Sequence, residues 1–367
     1  MRITDLTVKM VRIDATSWYG QEAPGHEPTQ WDYPIVSVET DEGIVGYSMA
    51  YGAKNEGWPA REYLLKVYRP ALIGKDPLDR ERIWQTFRSM NRHLYGATDT
   101  NAGIIDVALW DIAGKAAGMP ISTLLGRHSE SVAAYRTIGR RLLIDLDRIP
   151  EMVEHAQHGV SAVKVQLWDS DPRRDIERLR VARAAARSEL KLMHDAAGQY
   201  DLGQATEVAR VLEELDFLWF EEPIPDAQIT NLAHLRNHTN VPILAAETAP
   251  LALLPEYLLA GAVDIIRGDV LIKAGITGLR KAMALAELHG LRLEVHTGGA
   301  PLLDLANLHV AASAVNTTFI ETHHDVFRFG LVGDPLEPDS QGMVSVPTSP
   351  GLGATLDWDW IDDHTVG

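Results

Sequence analysis

No cysteine occurs among the 367 residues, so neither disulfides nor thiolate metal sites take part in the chemistry of this chain. Positive charge is scarce as well: 34 lysines and arginines face 51 aspartates and glutamates, the formal net charge is −17 at pH 7, and no basic run offsets it. That balance excludes nucleic acid and anionic membrane surfaces as partners, and an anionic small molecule would need a local positive centre. Long apolar runs are also missing. No uninterrupted stretch reaches membrane-spanning length, and Met1-Arg2-Ile3-Thr4-Asp5 lacks the apolar core of a signal peptide, so a soluble cytoplasmic protein is expected.

Hydrophobic residues make up 46% of the chain, which is too long for one ordinary core and sufficient for a barrel plus a second domain. Ile3 to Ile13, Tyr33 to Thr40 and Gly43 to Ala50 alternate in the manner of strands, the last two joined by the hairpin signal Asp41-Glu42-Gly43. Between the first two lies Ser17 to Asp32, longer than a connection needs and carrying Trp18, Tyr19, His26 and Trp31. Such loops tend to be binding lids, so Trp18, Tyr19 and His26 are expected substrate contacts, with Tyr51 opening a second shaping segment that runs to Trp58. Helical patterns follow at about 59–72, 79–92 and 99–117, the last stopping near Gly118-Met119-Pro120.

From Ala133 the rhythm becomes strand, loop, helix, with strand ends near Ile138, Gln166, Asp195, Glu221, Glu247, Asp269, His296 and Glu321. Eight such units predict an α/β fold, a (β/α)8-type TIM barrel, in preference to a doubly wound sheet. The tail returns to strand signals at Met343 to Val346 and Ala354 to Trp360, and is expected to pack back on the first strands. The expected division is an N-terminal α+β capping domain with a substrate lid over 1–128, a barrel over 129–327, and a C-terminal segment over 328–367 that completes the cap.

Phe217-Leu218-Trp219-Phe220 reads as a strand buried on both faces, yet it runs straight into Glu221-Glu222-Pro223. Leu192-Met193-His194 runs into Asp195 26 residues earlier, and Leu244-Ala245-Ala246 into Glu247 26 residues later. Three successive strands thus each offer a carboxylate at one rim, where barrel enzymes keep their chemistry. At about 4 Å and an effective dielectric near 20, each like-charge pair costs on the order of 4 kcal/mol, which a divalent cation removes. Hard oxygen ligands without cysteine suit Mg²⁺, one per subunit; the bland alternative is three carboxylates capping the helices that follow. Lys164 and Gln166, two apart and so on one face, point toward the same place, unless Lys164 is a solvated rim residue. Asp269 and His296 end adjacent strands, and a carboxylate beside an imidazole fixes its tautomer and raises its basicity; otherwise His296 only bonds a neighbouring loop. Glu321, if protonated, donates a hydrogen bond to a substrate oxygen, while His323 and His324 read equally as substrate contacts and as solvated loop residues.

Over nearly its whole length the chain resembles the mandelate racemase subgroup of the enolase superfamily. The resemblance is carried by Ala102 to Lys115, by Pro120 to Gly126 with Leu124-Leu125-Gly126, by Glu221-Glu222-Pro223 and by Pro350-Gly351-Leu352-Gly353. It implies Mg²⁺ on Asp195, Glu221 and Glu247, a base dyad of Asp269 and His296, and Glu321 opposite, at the substrate carboxylate. Two departures stand out. Racemases of the subgroup carry Lys-x-Lys where this chain has Lys164-Val165-Gln166, and the subgroup often has Asn where this chain has Ala197. With no second base at Gln166, the expected reaction is α-proton removal by His296 followed by loss of the β-hydroxyl, giving a 2-keto-3-deoxy acid from a sugar acid. An epimerase or cycloisomerase using Lys164 as second base, or a non-catalytic sugar-acid binder, are the other readings. A homo-oligomer, dimer or octamer, is expected.

Overall fold

The computed structural model describes residues 1–15, 30–52, 57–139, 145–323 and 325–367. Trp18, Tyr19, His26 and His324, expected at the substrate, lie outside the described residues. The chain opens with an antiparallel sheet of β1 (Ile3–Asp14), β2 (Gln30–Thr40) and β3 (Val45–Met49), in that order. Gln30, Trp31 and Asp32, read as lid from the sequence, already pair with β1 as the first residues of β2. Helix α1 (Gly57–Tyr63) passes through a π-helical turn at Leu64–Tyr68 into α2 (Arg69–Leu72), and α3 (Arg80–Met90) follows. The longest helix, α4 (Asp99–Ala117), starts where Thr98 accepts a hydrogen bond from Asn101 N and stops at Gly118, whose φ of 66° only glycine adopts without cost. Residues 101–114 of α4 are all buried, because the helix is wedged between β3 and the barrel. A short α5 (Ile121–Leu125) leads into the barrel.

Eight parallel strands form it: β4 (Ser131–Gly139), β5 (Ala162–Gln166), β6 (Lys191–Asp195), β7 (Phe217–Glu221), β8 (Ile243–Ala245), β9 (Ile265–Gly268), β10 (Arg292–Val295) and β11 (Phe319–Thr322). The ladder runs from β10 back to β4 and on to β11, so among the described residues only the β10–β11 seam lacks pairing. Helices α6 (Ile149–Ala156), α7 (Pro172–Ala185), α8 (Leu202–Glu214), α9 (Ile229–Arg236), α10 (Leu254–Ala260), α11 (Gly275–Leu288) and α12 (Pro301–Ala311) each follow one strand. The eighth expected helix is replaced by a 3-10 turn at Asp325–Phe327. Between Glu321 and Met343 the chain has Gly330, Gly333, Pro335 and Pro338, which interrupt any run long enough for a helix on the barrel.

The tail divides its contacts. Its strand β12 (Met343–Ser345) pairs antiparallel with β4, while Arg12 N donates to His364 O at 2.9 Å and Val366 N to Met10 O at 2.8 Å. The strand expected over Ala354 to Trp360 gives way to a helix, α13 (Trp358–Asp363). Asp357 caps it by accepting from Trp360 N, which favours helix over strand at that point. Among the described residues no helix is long and apolar enough to cross a membrane.

Candidate active site

Inward-facing barrel residues step by two along each strand, and their character changes with height. Tyr135, Ala162, Met193, Trp219, Leu244, Ile265 and Phe319 pack into an apolar floor. Two residues further on, Lys164, Asp195, Glu221, Arg267 and Glu321 form a buried charged layer, and Gln166, Asp269 and His296 stand at or just past the strand ends above it.

Lys164 Nζ lies 3.2 Å from Asp195 Oδ2, 3.1 Å from Glu221 Oε1 and 3.5 Å from Glu321 Oε2. Burial opposes its charge, but these carboxylates win and hold its pKa well above the usual lysine range, so it is no solvated rim residue. Gln166, half-buried, donates from Nε2 to Asp195 Oδ2 at 2.7 Å and so ties that carboxylate down. Arg267, two residues before Asp269, was not singled out from the sequence; a lone arginine in an apolar strand was the available signal. It donates to Tyr135 Oη at 2.7 Å, Glu321 Oε2 at 3.0 Å and Val295 O at 2.8 Å. Its Nε stands 3.0 Å from Glu221 Oε1, without hydrogen-bond alignment, and 3.8 Å from Glu247 Oε2. Glu321 also accepts from Tyr135 Oη at 2.9 Å and from Thr137 Oγ1. Burial raises its pKa, but Lys164, His323 and Arg267 outweigh it and carry it well below the ordinary range. The carboxylate is therefore an acceptor, not the protonated donor expected from the sequence.

His296 Nδ1 meets Asp269 Oδ2 at 2.9 Å, the pairing expected of the dyad, and Nε2 stands 3.8 Å from Glu247 Oε1. Burial lowers the imidazole pKa, yet Glu247 and then Asp269 raise it to about 9. Asp269 is held from several sides. Leu271 N donates to Oδ1 at 2.5 Å, and Tyr51 Oη donates to Oδ2 at 2.5 Å. Tyr51, expected as a substrate contact, thus commits its hydroxyl proton to the dyad. A side chain at Gly298 would collide with its ring, a Cβ coming within 2.2 Å of Cε1.

Among the described residues no three acidic or imidazole groups form a ready-made metal cage, because Lys164 and Arg267 lie between the carboxylates. The charge nonetheless fits a divalent cation. Asp195, Glu221, Glu247, Asp269 and Glu321 face the permanent cations Lys164 and Arg267, and Glu222 shows the excess. Burial, then Glu247, Asp226, Asp195 and Glu221, push its carboxyl up to about 10. The donor set is all oxygen, as Mg²⁺ prefers.

A nearly closed parallel barrel with a carboxylate rim and a His-Asp dyad, capped by an α+β domain, defines an enzyme of the enolase type. The chain belongs to the mandelate racemase / muconate lactonizing enzyme family: residues 24–126 match that family's N-terminal domain, and residues 149–360 match the enolase C-terminal domain-like family. It is 33% identical over 328 residues to the arabinonate dehydratase of Saccharolobus solfataricus, covering 87% of each chain. To the D-galactarolactone cycloisomerase of Agrobacterium fabrum it is 32% identical over 352 residues, covering 90% of this chain and 91% of that one. Among solved structures, the D-glucarate dehydratase from Agrobacterium tumefaciens complexed with magnesium superposes with a TM-score of 0.87 at 28% identity, over 100% of this chain and 99% of that one.

Proposed function

We propose that this protein is a magnesium-dependent acid-sugar dehydratase working with a single base. The observation that carries the reading is the one-sidedness of the mouth. His296 is oriented by Asp269 and keeps 21% of its side chain exposed, whereas Lys164, 2% exposed, is enclosed by three carboxylates and Gln166 is an amide with no useful pKa. Asp195, Glu221 and Glu247 would hold the ion, which when bound supplies positive charge to the substrate carboxylate and so acidifies the α-proton. Two of the relatives above are sugar-acid dehydratases, which supports a polyhydroxylated carboxylate as substrate.

His296 Nε2 takes the α-proton, and Asp269 stabilises the imidazolium through Nδ1–H. The C–H electrons become the Cα–Cβ double bond while the β-hydroxyl leaves with the proton just taken, as water. Ketonisation of the resulting enol gives the 2-keto-3-deoxy acid. Lys164 and Arg267 offset part of the negative charge beneath the reacting carboxylate, and Glu321 holds both in place. Because one imidazole handles both protons, hydrogen and hydroxyl leave from the same face.

A sugar-acid library assayed for water loss in D₂O tests this. His296→Asn should abolish turnover and leave Mg²⁺ binding by calorimetry intact, whereas Gln166→Ala should cost roughly tenfold, the loss of one hydrogen bond. Recovered substrate inverted at C2, an isomerised product without water loss, or a His296→Asn variant that still dehydrates would overturn the mechanism.

A further inference from the structure

Glu247 is placed differently from the other two expected ligands. Asp195 and Glu221 are the last residues of β6 and β7, so the sheet fixes them, but β8 ends at Ala245 and Glu247 lies two residues beyond it. The intervening Ala246 has a φ of 75°, a left-handed backbone that an alanine keeps only where its surroundings over-determine it.

Two buried side chains from the flanking barrel units do so. From the loop after β7, Asp226 accepts Ala246 N at 2.7 Å through Oδ1, and Thr248 N and Thr248 Oγ1, both at 2.8 Å, through Oδ2. From the loop after β9, the fully buried Lys273 donates from Nζ to Ala246 O at 2.7 Å, Glu247 O at 2.9 Å and Ala249 O at 2.6 Å. All three ammonium protons are thus spent on the backbone around one carboxylate, and none is left for chemistry. Lys273 N in turn donates to Asp269 O at 2.8 Å, so the same residue joins the dyad to the Glu247 loop. The loop that carries it is gripped from the cap, where Trp84 Nε1 donates to Ala274 O at 2.6 Å.

We infer that Lys273, with Asp226, is a positioning residue that fixes the backbone of Glu247 for cation binding and keeps it in register with the Asp269–His296 dyad. This rests on the magnesium reading above. A side chain that only strengthened the fold would leave metal affinity alone, and this one should not. Loss of a partner that orients a ligand typically costs 10–100-fold in metal affinity.

The test is magnesium titration calorimetry on the full chain, wild type against Lys273→Met and Asp226→Asn, with melting temperatures recorded with and without Mg²⁺. The expected result is a dissociation constant raised roughly 10–100-fold in either variant, and a smaller magnesium-induced rise in melting temperature than in wild type. If Lys273→Met does not fold, Asp226→Asn decides, since it keeps shape and volume while turning an amide toward two donors. Variants that melt lower with and without magnesium alike, yet bind it as the wild type does, would overturn the inference and leave the proposed function standing. A wild-type chain that binds no magnesium would sink both.

Discussion

Ala197 and Glu222 closely follow the carboxylates that end β6 and β7, Ala246 directly precedes Glu247, and all three have positive φ, 47°, 40° and 75°. Left-handed backbone costs an ordinary L-residue about 1–2 kcal/mol, and asparagine less than alanine because its short polar side chain bonds locally. Ala197 is therefore strained as it turns its N–H onto Asp195 Oδ1 at 2.9 Å. Ala197→Asn, which restores the residue common in the family, should stabilise the fold by about 0.5–1 kcal/mol in urea unfolding; a lower stability would mean the neighbouring loop has no room for the amide. At this scale the sequence showed which residues gather but not whom they touch. Regular spacing brought Asp195, Glu221, Asp269, His296, Lys164 and Glu321 to one rim. The partners of Gln166 and Tyr51 were hidden because Asp195 and Asp269 come from other strands, and Arg267 and Lys273 were hidden because each looked like a single charge among apolar neighbours.

Helix α11 begins at Gly275 without a side-chain cap of its own, since Ala274 stands at its N-cap. The cap arrives from the other domain. Asp106 on α4 accepts Thr277 N at 2.8 Å and Thr277 Oγ1 at 2.7 Å, and Trp110 Nε1 donates to the same hydroxyl at 2.9 Å. Gly103 permits the approach, because a Cβ there would stand 2.7 Å from Leu271 O. Removing the carboxylate strands a buried N–H and a hydroxyl, so Asp106→Ala should cost about 2–3 kcal/mol in denaturant unfolding. A cost under about 0.5 kcal/mol would show that water replaces the cap. The elements themselves were largely legible: the alternating meander, the long apolar α4 and eight strand ends follow from periods of two and 3.6. What was not legible depends on distant partners, such as α13 in place of a strand, the missing eighth helix and a helix capped across a domain boundary.

For the molecule as a whole, the excess of buried carboxylates ties metal uptake to protons. Glu222 is pushed up to about 10 by burial and then Glu247, and His296 up to about 9, where Glu247 and Asp269 overcome burial. Both stand above their ordinary values of 4.5 and 6.5. Over the window from pH 6.5 to 9 the metal-free folded chain therefore keeps protons that the unfolded chain has released, and its stability falls as pH rises. For His296 that contribution is complete below pH 6.5 and gone above about 9, and Glu222 acts in the same direction from pH 4.5 to about 10. Asp106, raised by burial to about 7, has already lost most of its share by neutral pH. Glu247 is the largest charge raising both His296 and Glu222, so neutralising it weakens the hold on both protons, that of His296 most directly, since burial and other carboxylates also hold that of Glu222. Magnesium binding at pH 8 should accordingly release roughly one to two protons per ion, read from calorimetry in two buffers of different ionisation enthalpy. Chelator-treated protein should lose melting temperature between pH 6.5 and 9 more steeply than loaded protein, and Glu222→Gln should still bind magnesium while releasing fewer protons. Binding at pH 8 with no proton release would mean that Glu247 does not hold the ion, because its neutralisation is what frees His296.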